Sequence, residues 1–329
     1  MRAVRPLAAA VALATAFACA RAFAAGGGFL DVLEQPANVS ELAQKSILQS
    51  ITRAGSRLVA VGQRGHILIS DDAGGAWSQS RVPVSSDLTA VHFADPRHGW
   101  AVGHDGVILA SEDGGDSWRV QVQWRKGDRD AADKSFLDVW FADARSGYAV
   151  GAYNLLYRTT DGGRTWESWS DRVENPKQLK LHAIRPAAGA LFIAGEAGLL
   201  LKLDESSQRF RAVEVPYKGS FFGIAAVGQS VLLHGLRGSA LLSPDGGRTW
   251  ARIDPGLAGS IVASAKALDG RLLLADASGR VVASDDGART FAPLLLRPSL
   301  PIAGFAPVGR GLLAVVGPRG ATVARVMPH

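Results

Sequence analysis

An eight-residue motif that recurs six times without gaps constrains the fold of this chain more than any other feature. The copies occupy residues 70–77, 111–118, 159–166, 203–210, 243–250 and 284–291. The third position is acidic in every copy: Asp72, Asp113, Asp161, Glu205, Asp245 and Asp286. The eighth position is always aromatic: Trp77, Trp118, Trp166, Phe210, Trp250 and Phe291. We term this motif the Asp-box, and its repetition indicates an array of similar supersecondary units.

A tight Gly-x-x-Gly turn precedes each Asp-box. Four turns are complete, at residues 62–65, 103–106, 195–198 and 235–238, and variants lie at 151–154 and 276–279. A seventh turn, at residues 317–320, has no Asp-box after it. Successive turns begin 41, 48, 44, 40, 41 and 41 residues apart. The sequence therefore contains seven copies of one unit, the last of them incomplete.

Each unit has the pattern of four short strands. In the second unit these are residues 88–93, 100–103, 107–111 and 118–122, which are rich in β-branched and apolar residues and are separated by turn residues. Four strands in roughly 40–45 residues are typical of one propeller blade. We therefore predict an all-β fold, a seven-bladed β-propeller of four-stranded antiparallel blades.

Two further predictions follow from the copies that differ from the repeat pattern. The seventh unit lacks a fourth strand, and residues 29–36 (FLDVLEQP) resemble the stretches that follow the Asp-boxes, such as residues 77–83. We expect this N-terminal strand to complete the last blade and close the ring. The copy at 203–210 carries Glu205 and Ser207 in place of Asp and Gly, so its blade is predicted to be the least regular.

The Asp-box residues are predicted to be structural. An Asp side chain such as that of Asp113 can accept hydrogen bonds from backbone N–H groups of its own turn. Gly115 allows a backbone conformation that is costly for other residues. The aromatic residue, Trp118 in this copy, then packs between sheets and anchors the fourth strand.

The N-terminus has the pattern of a secretory signal. Arg2 and Arg5 precede a short apolar stretch, residues 7–19, and Ala22 and Ala24 supply the small residues of a cleavage site. We predict a signal peptide at residues 1–24, a single propeller domain at 25–329, and export to the periplasm or an equivalent compartment. Cys19, the one cysteine, lies in the signal, and a lipoprotein site there is the alternative to free export.

Composition excludes several classes of partner. The net charge is +6, but Arg2, Arg5 and Arg21 belong to the predicted signal, so the mature chain carries +3. This excess is too small to indicate a nucleic-acid-binding protein. No later segment approaches the ~20 apolar residues of a membrane-spanning helix. The histidines are scattered and the Asp-boxes lack the pattern of a calcium loop, so we predict neither a metal nor a cofactor.

One face of the propeller is predicted to bind a protein. The Gly turns join the second and third strands and share a face with the links between blades. Arg64, Arg237 and Arg319 occupy the same position in three of these turns, and guanidinium groups suit carboxylates and phosphates. The longest link carries Trp124, Arg125 and Lys126 on the same face. The alternative is that these are solvated turn charges and a mobile charged insert.

An enzyme is the main competing function, because Asp-boxes also occur in sialidases. Glycoside cleavage requires paired carboxylates, or a tyrosine nucleophile with an acidic partner. Sialidases add an arginine triad and a Phe/Tyr-Arg-Ile-Pro segment, which this sequence lacks. The four tyrosines are Tyr148, Tyr153, Tyr157 and Tyr217, and three of them fall in one blade. A sialidase-like hydrolase or a carbohydrate-binding propeller remains the alternative.

The repeat also resembles a known family. Residues 99–118 and 147–166 both contain Gly-[Trp/Tyr]-Ala-Val-Gly, a short apolar strand, and Asp-Gly-Gly-x-[Ser/Thr]-Trp. This pattern is similar to the Asp-box (BNR-repeat) propellers of the photosystem II assembly and stability factors, here in an exported bacterial branch. The resemblance implies a seven-bladed propeller and a non-enzymatic assembly factor that holds a membrane-protein subunit. In that family an arginine patch on one propeller face contacts the partner.

Overall fold

The computed structural model describes residues 31–122 and 134–328, which form six β-sheets that make up seven blades in a ring. Blades 1 to 3 contain β1–β4 (Leu48–Ala54, Arg57–Gly62, Ile67–Ser70, Ser78–Gln79), β5–β8 (Leu88–Phe93, Gly99–Gly103, Ile108–Ser111, Arg119–Val120) and β9–β12 (Phe136–Phe141, Gly147–Gly151, Leu156–Thr159, Glu167–Ser168). Blades 4 and 5 contain β13–β16 (Leu181–Ala187, Ala190–Gly195, Leu200–Asp204, Arg209–Ala212) and β17–β20 (Phe221–Val227, Ser230–Gly235, Ala240–Ser243, Ala251–Ile253). Blades 6 and 7 contain β21–β24 (Ile261–Lys266, Leu272–Asp276, Val281–Ser284, Ala292–Arg297) and β25–β27 (Gly304–Gly309, Leu312–Gly317, Gly320–Pro328). Short 3-10 helices lie at Ala43–Lys45, Gln63–Gly65, His104–Gly106, Ser170–Arg172, Glu196–Gly198 and Leu236–Gly238.

Each blade is an antiparallel meander, as predicted. In blade 2, Val91 pairs with Ala101, which pairs with Leu109, which pairs with Val120. The second strands are buried along their whole length, apart from the half-buried Arg57 at the start of β2, since neighbouring blades cover both of their faces. This two-sided burial explains why these strands are continuously apolar instead of alternating.

The ring is continuous through its inner strands. The first strands pack side by side in the order β1, β5, β9, β13, β17, β21 and β25, and β25 packs against β1. Apolar clusters fill the spaces between blades; one of them joins Leu48 of blade 1 to Val316 and Ala321 of blade 7. The all-β propeller predicted from the repeat is confirmed.

The predicted closure by an N-terminal strand is wrong. Within the described part of residues 29–36, from 31 onward, the backbone forms no strand. It follows the link between blades 1 and 2 instead: the N–H of Ser85 donates to Val32 O at 2.8 Å, and the N–H of Ala37 donates to Val82 O at 3.0 Å. Blade 7 therefore keeps three strands of its own.

The outer side of blade 7 is paired by blade 6. Strand β27 is nine residues long, and its last part pairs with β24, with Leu296 opposite Val326 and Leu295 opposite Met327. Blades 6 and 7 thus form one seven-stranded sheet. Without an Asp-box to end it, the third strand of blade 7 continues outward until it reaches the neighbouring blade.

The chain before β1 acts as a link between blades 7 and 1. A Cβ atom added to Gly320, whose φ is +85°, would lie 1.9 Å from Gln44 O. A Cβ atom added to Gly65, whose φ is +69°, would likewise lie 2.1 Å from Val84 O, in the link from blade 1 to blade 2. The last residue of the Gly turn must therefore be glycine for two reasons: its backbone is left-handed, and the next link passes too close for a side chain.

Candidate partner-binding face

The Asp-boxes have the predicted turn geometry. In blade 2, Asp113 Oδ1 accepts the N–H of Ser117 at 3.0 Å, and Asp113 Oδ2 accepts its hydroxyl at 2.5 Å. Hydrogen bonds from the backbone N–H and the hydroxyl of Thr165 hold the pKa of Asp161 at about 2. The same acceptor role falls to Asp72, Asp245 and Asp286 in blades 1, 5 and 6. Each of these carboxylates therefore accepts hydrogen bonds within the turn of its own Asp-box.

Sequence reasoning missed the first residue of the box. The hydroxyl of Ser111 donates to Asp113 Oδ1 at 2.8 Å and accepts the N–H of Gly115 at 2.9 Å. A hydroxyl at this position does the same in four other boxes: Ser70, Thr159, Ser243 and Ser284. The signal was present as an invariant Ser or Thr in the five boxes that keep their Asp.

The box of blade 4 departs from the prediction. Asp204, at its second position, takes the place of the missing acid: it accepts the N–H of Ser206 at 3.0 Å and the hydroxyl of Ser207 at 2.6 Å. The hydroxyls of Ser207 and Ser206 lower the pKa of Asp204 to about 2. Strand β15 pairs with β16 over four residues, so this hairpin is regular and the expectation of the least regular blade is wrong.

The aromatic residues of the boxes pack between blades. Trp118 is buried, meets Phe93 edge to face at 5.9 Å, and donates from Nε1 to Gly115 O at 3.1 Å. Trp77 makes the equivalent bond to Gly74 O, and Trp166 donates to Gln121 Oε1. Phe291 packs in the cluster between blades 5 and 6. Trp250 differs, because its buried Nε1 has no hydrogen-bond partner among the described residues.

The Gly turns and the interblade links share one face, as predicted. We call this surface the Gly-turn face; it comprises the turns at residues 63–65, 104–106, 152–154, 196–198, 236–238, 277–279 and 318–319 and the adjoining links. The N–H of Gln63 donates to Ile47 O at 3.0 Å, and the N–H of Leu236 donates to Ser220 O at 2.9 Å. Each bond joins a Gly turn to the residue that leads into the first strand of its blade.

Arg64, Arg237 and Arg319 are exposed at the tips of these turns. Arg64 and Arg319 lie on the adjacent blades 1 and 7, whereas Arg237 is on blade 5 and is separated from Arg319 by blade 6. Within residues 31–122 and 134–328, their guanidinium groups form no ion pair and no hydrogen bond. The predicted loop residues Trp124, Arg125 and Lys126 lie outside the described residues.

The left-handed backbone of two of these arginines has a structural origin. Arg64 and Arg237 have φ values of 57° and 54°, and Asp105 and Ala197 at the same turn position have 57° and 53°. The turn imposes this conformation whatever side chain it carries. What distinguishes the arginines is therefore their exposed charge and not their backbone.

Two acidic groups near the tip of Arg64 are already engaged. Asp87 Oδ1 accepts the N–H of Arg64 at 2.8 Å, and Asp105 Oδ2 accepts the hydroxyl of Ser86 at 2.6 Å. Each carboxylate holds a turn or a link in position. The guanidinium groups of the three arginines are thus not engaged by these carboxylates, an arrangement suited to an acidic partner.

The tyrosines are accounted for by packing or lie at the surface. Tyr148 is buried and meets Trp169 at 5.8 Å and Phe210 at 5.9 Å; this burial raises its pKa. Tyr157 meets Phe136 edge to face, and the hydroxyl of Tyr217 donates to Leu236 O at 3.2 Å. Tyr153 is exposed at the Gly turn of blade 3.

In the part of the chain that the structure describes, no three His, Cys, Asp or Glu side chains are grouped so that they could hold a metal ion. No helix within those residues is long and apolar enough to cross a membrane.

Comparison with known proteins identifies a family. The sequence matches the family model described as photosynthesis system II assembly factor YCF48 over residues 69–130 and 119–283, more than half of the chain. None of the curated proteins compared with the chain matches it in sequence.

Solved structures with the same fold include members of that family. The chain is similar to a structure described as YCF48 bound to D1 peptide, with a TM-score of 0.68, 15% identity, and coverage of 88% of this chain and 96% of that one. YCF48 from Cyanidioschyzon merolae gives 0.66 and 17%, with coverage of 88% and 98%. The WD40 propeller domain of Doa1 gives 0.64 and 10%, with coverage of 89% and 96%. At these identities the structures establish the fold alone.

Proposed function

The chain belongs to the photosynthesis system II assembly factor YCF48 family, and from this premise we propose that it is a non-enzymatic assembly factor. Its partner is an acidic segment of a membrane-protein subunit, and its binding surface is the Gly-turn face. The relative solved with a bound D1 peptide supports a peptide as the ligand.

The three equivalent arginines carry this proposal. Arg64, Arg237 and Arg319 place exposed guanidinium groups on the Gly-turn face, and no described residue pairs with them. An unpaired surface charge contributes little to folding but can steer and hold a complementary partner. The arginines therefore suit an intermolecular role better than a structural one.

The central channel supports the absence of glycosidase activity. Among the residues that line its cavity, Arg185 is the arginine and Asp138 the carboxylate, and the two are paired with each other. Cleavage of a glycoside would require a second carboxylate or a tyrosine nucleophile in the same cavity. Neither is among the lining residues, so the cavity is poorly suited to sialidase chemistry.

The N-terminal pattern supports export. The charged, apolar and small-residue regions of residues 1–24 fit a secretory signal that is removed from the mature chain. We place the protein in the periplasm or an equivalent compartment. Sequencing the N-terminus of exported protein tests this: a start at residue 25 or 26 is expected, and a lipidated Cys19 would contradict free export.

The experiment begins with the partner. Crosslinking and affinity capture of the exported protein from its native membrane identifies the subunit, and a binding titration at two salt concentrations follows. Replacing Arg64, Arg237 and Arg319 together by Ala should weaken binding by roughly tenfold or more, since several charge contacts are lost together. The loss should be larger at the lower salt concentration, because salt screens such contacts.

The chain offers a matched control on its opposite face. Arg164, Arg248 and Arg289 occupy equivalent positions in three Asp-boxes and are also exposed. Their triple replacement by Ala changes the net charge equally but should leave affinity unchanged. Equal affinities for the two triple variants and the unmodified protein would exclude the Gly-turn face as the binding surface.

A further inference from the structure

The central channel of the propeller contains a polar cavity of about 240 Å³. The first strands of all seven blades contribute to its wall, with His182, Ser264, Thr89 and Gln49 among the polar residues. The volume is below the range of about 300–1,000 Å³ found for sites that take drug-sized ligands. The cavity therefore suits a small group or one side chain.

One ion pair dominates the chemistry of this cavity. Asp138 on β9 is buried, and its Oδ2 accepts hydrogen bonds from Arg185 Nη1 and, at 2.8 Å, from the N–H of Ile184. Its Oδ1 accepts the N–H of Val139 at 2.9 Å. Burial raises the pKa of Asp138, while Arg185 and the two N–H groups favour its ionised form. Both oxygens of the carboxylate thus accept hydrogen bonds from the protein.

Arg185 is only partly used by this pair. Its Nη1 donates to Asp138 and to Ile184 O, but no described residue accepts from its Nη2 or Nε. Its side chain is 38% exposed, against 6% for that of Asp138. The buried carboxylate holds Arg185 in position and leaves the other N–H donors of the guanidinium group free to face the cavity. Such an arginine is preorganised to bind an anion.

The neighbouring polar groups complete a site with both donors and acceptors. His182 Nδ1 lies 2.9 Å from Phe221 O, and His234 Nδ1 lies 3.1 Å from Ile261 O. A carbonyl oxygen can only accept, so both Nδ1 atoms carry the proton. His234 Nε2 then accepts from the hydroxyl of Ser264 at 3.0 Å. Burial lowers the pKa of both histidines, so Arg185 is the cation that faces the cavity.

The segments that lead into the inner strands on the Gly-turn face also carry positive charge. Exposed lysines stand in the segments that lead into the inner strands of blades 1, 4 and 5: Lys45, Lys180 and Lys218. Of the acids in this region, Asp87 accepts the N–H of Arg64 and Glu196 accepts the N–H of Lys180 at 3.3 Å. This charge distribution favours entry of an anionic group.

We propose that the central cavity is a binding site for a carboxylate group, which enters from the Gly-turn face and accepts hydrogen bonds from Nη2 and Nε of Arg185. The carboxylate belongs either to a small organic acid or to an Asp or Glu side chain of a peptide. The site is distinct from the arginine tips and does not depend on the proposed function.

Calorimetric titration of the whole mature protein tests the site without knowledge of its partner. The probes are succinate for the small acid and an end-blocked Gly-Glu-Gly peptide for the side chain; succinamide and Gly-Gln-Gly are their uncharged counterparts. We expect the protein to bind at least one acid and neither amide. The acid that binds more tightly identifies the source of the carboxylate, and failure of both acids to bind overturns the proposal.

The double variant Asp138→Asn, Arg185→Gln locates the binding. It keeps a hydrogen-bonding pair but removes both charges, so neither group is left as an unpaired buried ion. Affinity for the acid should fall about tenfold or more, as for loss of charge-assisted hydrogen bonds. Arg310→Gln, which removes an exposed arginine at the turn between β25 and β26, should bind as the unmodified protein does. Undiminished binding by the double variant would show that the ion pair only ties blades 3 and 4 together.

A second readout covers the case in which the double variant does not fold. The ring signals of His182 in the unmodified protein, assigned with His182→Gln, should shift on addition of the acid because this ring lines the cavity. Binding that leaves the His182 signals unchanged would place the acid elsewhere and refute the channel site.

Discussion

The hydroxyl of Ser111 donates to Oδ1 of Asp113 at 2.8 Å. The same hydroxyl accepts the N–H of Gly115, while the carboxylate accepts the N–H of Ser117. Hydroxyl and carboxylate thus form one unit that satisfies the backbone of the turn from both ends. Since buried or half-buried N–H groups are costly to leave unpaired, the two side chains are expected to contribute together to stability.

The first prediction concerns this pair. Asp113→Ala should lower the free energy of unfolding by about 1–2 kcal/mol, and Ser111→Ala by a similar amount, because each leaves backbone donors of the turn without acceptors. The double variant should cost less than the sum of the two, since the residues act as one unit. Urea unfolding measures all three values.

Glu205→Ala is the matched control for the Asp-box. Glu205 is the third residue of the blade 4 box, but Asp204 holds that turn, so its replacement should change stability little. A loss for Glu205→Ala as large as that for Asp113→Ala would show that the acidic position matters for a reason other than these hydrogen bonds.

The sequence was sufficient to predict the repeated features of the structure, and it was insufficient to predict the structure where a repeat is broken. The Asp-boxes and Gly turns fixed the number of blades and the shared face of Arg64, Arg237 and Arg319, because each rests on local turn chemistry. The displaced acid at Asp204 was missed, since a one-residue shift leaves the spacing of the motif unchanged. The pairing of Asp138 with Arg185 was also missed, because no local pattern joins two residues on different blades.

The way in which the ring closes could not be predicted from the local sequence pattern either. Residues 29–36 match the pattern of a fourth strand, but the choice between this segment and β24 depends on which one can reach β27. That choice is made by tertiary pairing, with Arg297 opposite Arg325 at its start. A strand-like pattern alone cannot decide between two such segments.

The second prediction is a loss of stability in mild acid. Burial lowers the pKa of His92 and of His234 to about 4, and it lowers the pKa of His182 as well. Between pH 6.5 and 4 the unfolded chain binds protons at His92 and His234 that the folded chain does not. The free energy of unfolding should therefore fall as the pH falls through this window, by up to about 1.4 kcal/mol per pH unit for each histidine.

His234→Gln isolates one of these contributions. Urea unfolding at several pH values between 4.5 and 6.5 should show that the free energy of unfolding depends less steeply on pH in the variant. The difference should correspond to the uptake of about one proton on unfolding. Ring titration by NMR provides an independent check on the unmodified protein. A His234 ring that titrates near the ordinary histidine pKa would contradict the assignment of its burial as the cause.

The third prediction compares two equivalent tryptophans. Trp118→Phe removes the hydrogen bond from Nε1 to Gly115 O, and that carbonyl keeps only the hydroxyl of Ser80 as a side-chain donor. Trp250→Phe removes an Nε1 that is buried without a described partner. The loss of stability should be greater for Trp118→Phe by about 1 kcal/mol, the typical net contribution of one hydrogen bond. Equal losses, measured by thermal and urea unfolding, would imply that Trp250 Nε1 is satisfied by an ordered water.

The last prediction concerns the two ends of the propeller. Removing residues 325–329 takes away the part of β27 that pairs with β24, and it exposes Leu294 and Leu296, which are buried in the folded chain. The lost ladder hydrogen bonds and apolar burial should lower the free energy of unfolding by about 2–4 kcal/mol. The unpaired edge of β24 should also promote aggregation. Deletion of residues 26–36 is the comparison: this segment contributes no strand from residue 31 onward, so its removal should cost less. Thermal unfolding and light scattering of the two truncated proteins show which deletion causes the larger loss of stability and more aggregation. A larger loss for the N-terminal deletion would mean that residues 26–36, and not β24 and β27, secure the ring.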